Sequence, residues 1–263
     1  MRRVRSASLA TLVATALTVV SLTNATPAVA AKKPPTITVL VTNDDGVGAP
    51  GIDALVEALR KVKNTKVVVV APATNQTATG GSTTPGPLTT QPATTASGYD
   101  ATAVQGYPAD TVTAALDQLG VKPNVVMSGI NAGPNYSVVV PTSGTIGAAR
   151  MGARRGIPAV AFSQDNRGAM QFPVTAQLAV DWLKKHRAQL SKKPKVAPTT
   201  ITSYNVPNCP SGKPRGVLRV APAPDLANYL VPLDCTATGP RPTTDVDAYN
   251  QGYAAVTQVP LDD

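Results

Sequence analysis

Residues 37–41 form an unbroken, mostly β-branched run, ITVLV, that stops at once in the turn formers Thr42-Asn43-Asp44-Asp45-Gly46. A strand with no polar alternation is buried on both faces, which a parallel sheet covered by helices on each side provides. After Pro50-Gly51, the apolar residues Ile52, Leu55, Val56, Leu59 and Val62 recur at offsets of three and four, the period of an amphipathic helix. A second apolar run, 66–71, ends at Pro72. Strand, loop, helix and strand in this order imply a right-handed crossover between parallel neighbours.

The pattern repeats with variations. Helices are expected at 108–119, 145–155 and 173–189, and strands at 124–128, 158–162, 201–206 and 216–220. Residues 73–98 are crowded with Thr, Gly, Pro and Ser and show no period, so a long loop is expected there, whether linker, functional or disordered. The fold class is therefore α/β: a doubly wound, mostly parallel sheet of Rossmann-like kind, followed by an irregular, β-rich C-terminal section.

Residues 1–30 stand apart from this pattern. Arg2, Arg3 and Arg5 are followed by an apolar stretch over 9–22 and by Ala28-Val29-Ala30, a small-x-small cleavage pattern. This reads as a secretory signal peptide cut near Ala30/Ala31, leaving 31–263 as one α/β domain in a secreted or cell-envelope protein. Export gives Cys209 and Cys235, the two cysteines of the chain, an environment in which a disulfide persists. The formal net charge of +9 includes the arginines of the leader. With two Phe, one Trp and no basic run interleaved with aromatics, nucleic-acid binding is not expected.

In open parallel sheets, ligands bind where loops leave the carboxyl ends of the strands. Four polar loops do so here: 43–46, 73–81, 129–135 and 163–167. Asp44 and Asp45 can converge at a turn closed by Gly46, and two close carboxylates call for a cation. Oxygen donors select Mg²⁺, Mn²⁺ or Ca²⁺. The same residues would also serve a plain turn that caps the next helix, and the motif alone does not choose. Asn75, Thr77, Thr79 and Asn131 offer further oxygens from the neighbouring loops. Ser143-Gly144-Thr145 opens a helix whose free N–H groups could seat a phosphate, or simply be capped by Ser143. The single histidine, His186, falls in Lys184-Lys185-His186-Arg187, on an expected exposed helix face near the helix end. Histidine-based phosphoryl chemistry and a Ser-His-Asp triad thus lack a suitably placed imidazole, and there is no Gly-x-x-x-x-Gly-Lys loop.

Taken together, TNDDG, APGI, VVVVAP, SGINAGPN and SGTIGAARMG, in that order, resemble the SurE family of stationary-phase survival proteins, which are 5′-nucleotidases and acid phosphatases. The resemblance runs over about 37–163 and resumes at Tyr204-Asn205-Val206-Pro207 and Thr244-Asp245. It implies one divalent metal, Mg²⁺ or Mn²⁺ foremost, nucleoside monophosphates as substrates, and a homo-oligomer such as a homodimer. It places metal ligands on Asp44, Asp45, Thr77 and Asn131, with the catalytic role on the two aspartates. Substrate contacts fall on Asn75, Asn135, Ser143, Gly144 and Thr145. Gly48, Ala73, Thr74 and Gln76 depart from the family's more charged pattern, which leaves room for a secreted nucleotide- or phosphate-binding protein without turnover.

Overall fold

The computed structural model describes residues 34–262 except 193, 212, 213 and 226, so the expected signal peptide lies outside the described residues. In chain order the elements are β1 (Ile37–Thr42), α1 (Pro50–Leu59), β2 (Thr65–Pro72), β3 (Thr89–Thr94) and β4 (Asp100–Gln105). Then come α2 (Pro108–Thr113), β5 (Val125–Ala132), α3 (Gly144–Arg154), β6 (Ala159–Gln164) and α4 (Phe172–Leu190). The C-terminal section holds β7 (Thr200–Val206), β8 (Val217–Arg219), α5 (Asp245–Asn250) and β9 (Ala254–Pro260). α2 continues as a π-helical turn over Ala114–Gln118, and a 3₁₀ turn over Ser137–Thr142 leads into α3.

All nine strands join one sheet in the order β3-β4-β2-β1-β5-β6-β7-β9-β8. From β4 through β7 every pairing is parallel. The chain leaves β1 toward β2 on one side and returns to β5 on the other, so β1 and β5 flank the topological switch point where such folds place their ligands. β1 shows how its sequence achieves this. Ile37, Val39 and Val41 enter a core shared with Leu55 of α1 and Leu183 of α4, while Leu40 enters a second core with Val112 of α2 and Ile146 of α3. Helices on both faces consume both sides of the strand, which is why no polar alternation survives in it.

Two expectations are corrected. The segment 73–98 is not loop throughout: β3 and β4 form an antiparallel pair, with Thr89 opposite Gln105 and Thr94 opposite Asp100. β3 is an edge strand, so Pro92 forfeits no pairing to a further neighbour, and its mostly exposed residues carry no apolar period to reveal it. His186 is partly buried rather than exposed, stacked on Trp182 at 4.3 Å between ring centres. The elements expected from the sequence lie within a few residues of their bounds, except that β5 runs on to Ala132 through a bulge between Ser128 and Asn131, whereas β4, α5 and β9 were not expected.

Candidate active site

The first loop leaves β1 at its carboxyl end. Asp44 is buried there and Asp45 partly so. The turn is closed by Gly46 at φ 103°, a conformation that side chains with a Cβ rarely adopt. Asn43 Nδ2 donates to Gly46 O at 2.8 Å across the same turn. The second loop is pinned to the first by Gln76 N–H donating to Asp44 O at 2.7 Å and Val47 N–H donating to Pro72 O at 2.9 Å.

Asp44 faces the start of α3. Thr145, fully buried, donates its hydroxyl to Asp44 Oδ1 at 2.5 Å. A Cβ added to Gly144 would lie 2.8 Å from Asp44 Cβ and 2.9 Å from Pro108 Cγ, so only glycine lets the helix start approach the carboxylate this closely. Ser143 is the N-cap, its Oγ accepting from Ile146 N–H at 3.2 Å. The Asp45 carboxylate reaches the other way, where Oδ2 accepts from Ala132 N–H at 3.2 Å. Asn131 donates its Nδ2 to Gly133 O at 2.7 Å, and its Oδ1 accepts no hydrogen bond among the described residues.

The electrostatics follow from this burial. Desolvation pushes the Asp44 carboxyl up to about 6; the Thr145 hydrogen bond opposes it, and the adjacent Asp45 charge adds to it. Asp45 is also raised by burial, against the hydrogen bond from Ala132. Among the described residues no basic side chain forms an ion pair with either aspartate. A carboxylate pair without a basic partner, one member buried and the other partly so, is chemistry that suits a hard divalent cation. Among the described residues no group of three or more His, Cys, Asp or Glu side chains gathers anywhere, so a cation here would rely on these two acids and neutral oxygens.

The remaining expected residues divide. Asn135 is buried beside this centre: its Nδ2 donates to Ser163 Oγ at 2.9 Å and lies 3.5 Å from Thr145 Oγ1. Asn205 fixes its backbone, accepting from Asn135 N–H at 2.6 Å and donating Nδ2 to Asn135 O at 3.0 Å. Asn75 and Thr77, by contrast, are exposed and engaged with each other. Asn75 Oδ1 accepts from Thr77 N–H at 2.7 Å and from Thr77 Oγ1 at 2.6 Å. Ser163 and Asn205 had no assigned chemistry in the sequence reading. Both lie at the carboxyl ends of parallel strands, and Asn205 falls in the Tyr204-Asn205-Val206-Pro207 segment of the resemblance.

With this geometry in hand, the comparisons agree among themselves. The profile of the family described as Survival protein SurE matches residues 39–223. A 5′-nucleotidase SurE from Polaromonas naphthalenivorans is 34% identical over 246 residues, covering 85% of this chain and 91% of that protein. A 5′-nucleotidase SurE from Moorella thermoacetica is also 34% identical, covering 85% of this chain and 90% of its own. Among solved structures, that of the SurE protein from Aquifex aeolicus superimposes with a TM-score of 0.69 at 30% identity, covering 86% of this chain and 94% of that one.

Proposed function

Since this chain belongs to the SurE family, we propose that it is a 5′-nucleotidase, a phosphomonoester hydrolase that uses one divalent metal ion and acts on nucleoside monophosphates. The observation that carries the metal-dependent reading is the Asp44–Asp45 pair at the switch point, Asp44 buried and Asp45 partly so, without a basic partner and with Asp44 walled by the N-terminus of α3. The related nucleotidases support the hydrolase class.

Asp44, Asp45 and Asn131 would hold the cation, with Thr77 completing the set once its hydroxyl turns from Asn75. The cation, Mg²⁺ or Mn²⁺, supplies positive charge against the phosphate and makes water a better nucleophile at neutral pH. The chain's own residues do the rest. Thr145 fixes the rotamer of Asp44 through its hydroxyl and so serves positioning rather than substrate binding. The backbone N–H of Gly144 begins α3, where the positive end of the helix favours an oxyanion, while that of Ser143 is already given to Val140 O. Asn135, held by Ser163 and Asn205, presents its amide to the same space, and Asn75 can donate its Nδ2. Asp45, the more exposed of the two acids, is placed to accept a proton from water.

The test is phosphate release from nucleoside monophosphates with Mg²⁺, with Mn²⁺ and with EDTA. Asp45→Asn should lower turnover by at least about a hundredfold, the scale of general-base contributions, with an unchanged circular dichroism spectrum. Full activity in EDTA would sink the mechanism. We also propose that 1–30 is a leader removed on export and that the mature protein forms a homo-oligomer. Support for export is the Cys209–Cys235 disulfide of the structure, a bond characteristic of oxidising compartments. Intact mass of the secreted protein, starting near Ala31, checks the cleavage.

A further inference from the structure

Among the loops that follow the carboxyl ends of β6 and β7 lies a cavity of about 480 Å³ whose lining includes Arg167, Ala169, Asn208, Cys209, Pro232 and Leu233. Its size falls within the range of small-molecule sites. It adjoins the metal loops through Asn166, whose Nδ2 donates to Ala132 O at 3.5 Å. The N–H of the same Ala132 donates to Asp45 Oδ2, so Ala132 and Asn166 link the Asp45 carboxylate to Arg167 in the lining.

The lining is built, not incidental. Arg167 is fixed by an ion pair from its Nε to Asp165 Oδ1 at 3.0 Å, and its guanidinium carbon lies 5.4 Å over the Tyr249 ring. About half of that side chain remains exposed, leaving a planar cation free to stack on a second flat group. Asn208, buried, donates its Nδ2 to Arg167 O at 2.6 Å and to Ala169 O at 2.7 Å. Both partners are carbonyl oxygens, which settles the orientation of the amide. Its Oδ1 accepts no hydrogen bond among the described residues, so the lining carries an unused acceptor. Pro232 and Leu233 add apolar surface. The Cys209–Cys235 bond ties the segment that carries them to the segment that carries Asn208.

A positioned guanidinium plane, apolar surface and one free acceptor together recognise a flat heterocycle bearing an amino group. We propose that this cavity is the nucleobase subsite, in which Arg167 stacks on the base and Asn208 Oδ1 accepts from an exocyclic amine such as that of adenine. This rests on the phosphatase reading for the position of the phosphate, but base binding can be measured without it.

The experiment uses the full mature protein and two variants. Leu233→Trp fills the cavity. Arg167→Lys keeps a charge for Asp165 and removes the plane. Each should weaken adenosine binding, followed by calorimetry, by about tenfold or more, the scale of losing one stacked base. Each should also lower the ratio of kcat/KM for adenosine 5′-monophosphate to that for glycerol phosphate by a similar factor. Purine riboside, which lacks the amino group, should bind the parent protein more weakly than adenosine. Adenosine affinity and substrate ratio that both stay at parental values in the two variants would overturn the subsite, as would a parental protein that does not bind adenosine. Equal affinity for purine riboside would remove Asn208 from it. A parental protein that binds adenosine yet hydrolyses neither phosphate would instead overturn the phosphatase reading and leave the subsite standing.

Discussion

At the scale of single residues, Asp44 makes the metal-free protein sensitive to pH. Its folded value of about 6 lies above the ordinary 3.8, so folding takes up a proton there. The resulting stabilisation is complete below the ordinary value and is lost as the pH rises through about 6. In EDTA the protein should therefore melt at a lower temperature at about pH 7.5 than at about pH 5, and Asp44→Asn should flatten that difference. Mn²⁺, which favours the ionised carboxylate, should restore more at the higher pH; a melting curve with the opposite slope would contradict the assignment. Thr77 gives a second test. If its hydroxyl leaves Asn75 for the cation, Thr77→Val should weaken Mn²⁺ binding by about tenfold, an amount seen when metal-site support is lost, while Thr77→Ser should keep it. Equal Mn²⁺ affinity in all three proteins would leave three side-chain ligands. The acidic pair was legible in the sequence because a buried strand ending in Asp-Asp-Gly places both residues at a sheet edge. The support of Asp44 by Thr145 was not, because it joins residues 101 positions apart.

Among elements, α3 packs closely against the second loop at Gly147 and Gly80. A Cβ on Gly147 would stand 2.0 Å from Gly80 O, a backbone atom that cannot rotate away. Gly80 is further held by its N–H donating to Thr142 O at 3.0 Å. Gly147→Ala should thus destabilise the fold by about 1–3 kcal/mol despite alanine's better helix propensity, because the loop bearing Asn75 and Thr77 must move. Chemical denaturation would show it, and a stabilised variant would refute the contact. Elements with both faces buried announced themselves through composition: the strands and the amphipathic α1 fell close to their expected bounds. β3 and β4 did not. β3 reads Thr-Thr-Gln-Pro-Ala-Thr, mostly exposed, and its pairing with β4 depends on a turn rather than on apolar alternation. β9 and α5 were hidden for another reason, since α5 is a six-residue helix recognisable chiefly by its Thr244 cap.

For the whole molecule, the Cys209–Cys235 bond closes a loop of the C-terminal section whose ends are 26 residues apart in sequence. In chain-entropy terms such a loop stabilises the fold by about 3–4 kcal/mol. Reduction should accordingly lower the melting temperature by several degrees, and the Cys209→Ser, Cys235→Ser double variant should match the reduced protein. Identical melting before and after reduction would show that the C-terminal section holds without it. The doubly wound order of the sheet could be foreseen from the alternation of runs, whereas the seating of β9 could not. β9 lies inside the sheet, antiparallel to β7 and parallel to β8, although both precede it in the chain. That arrangement imposes a timetable on a nascent polypeptide. Three-residue β8 has no strand to pair with until residues 254–260 have emerged, and until then the long flank of β7 stays open to any passing strand.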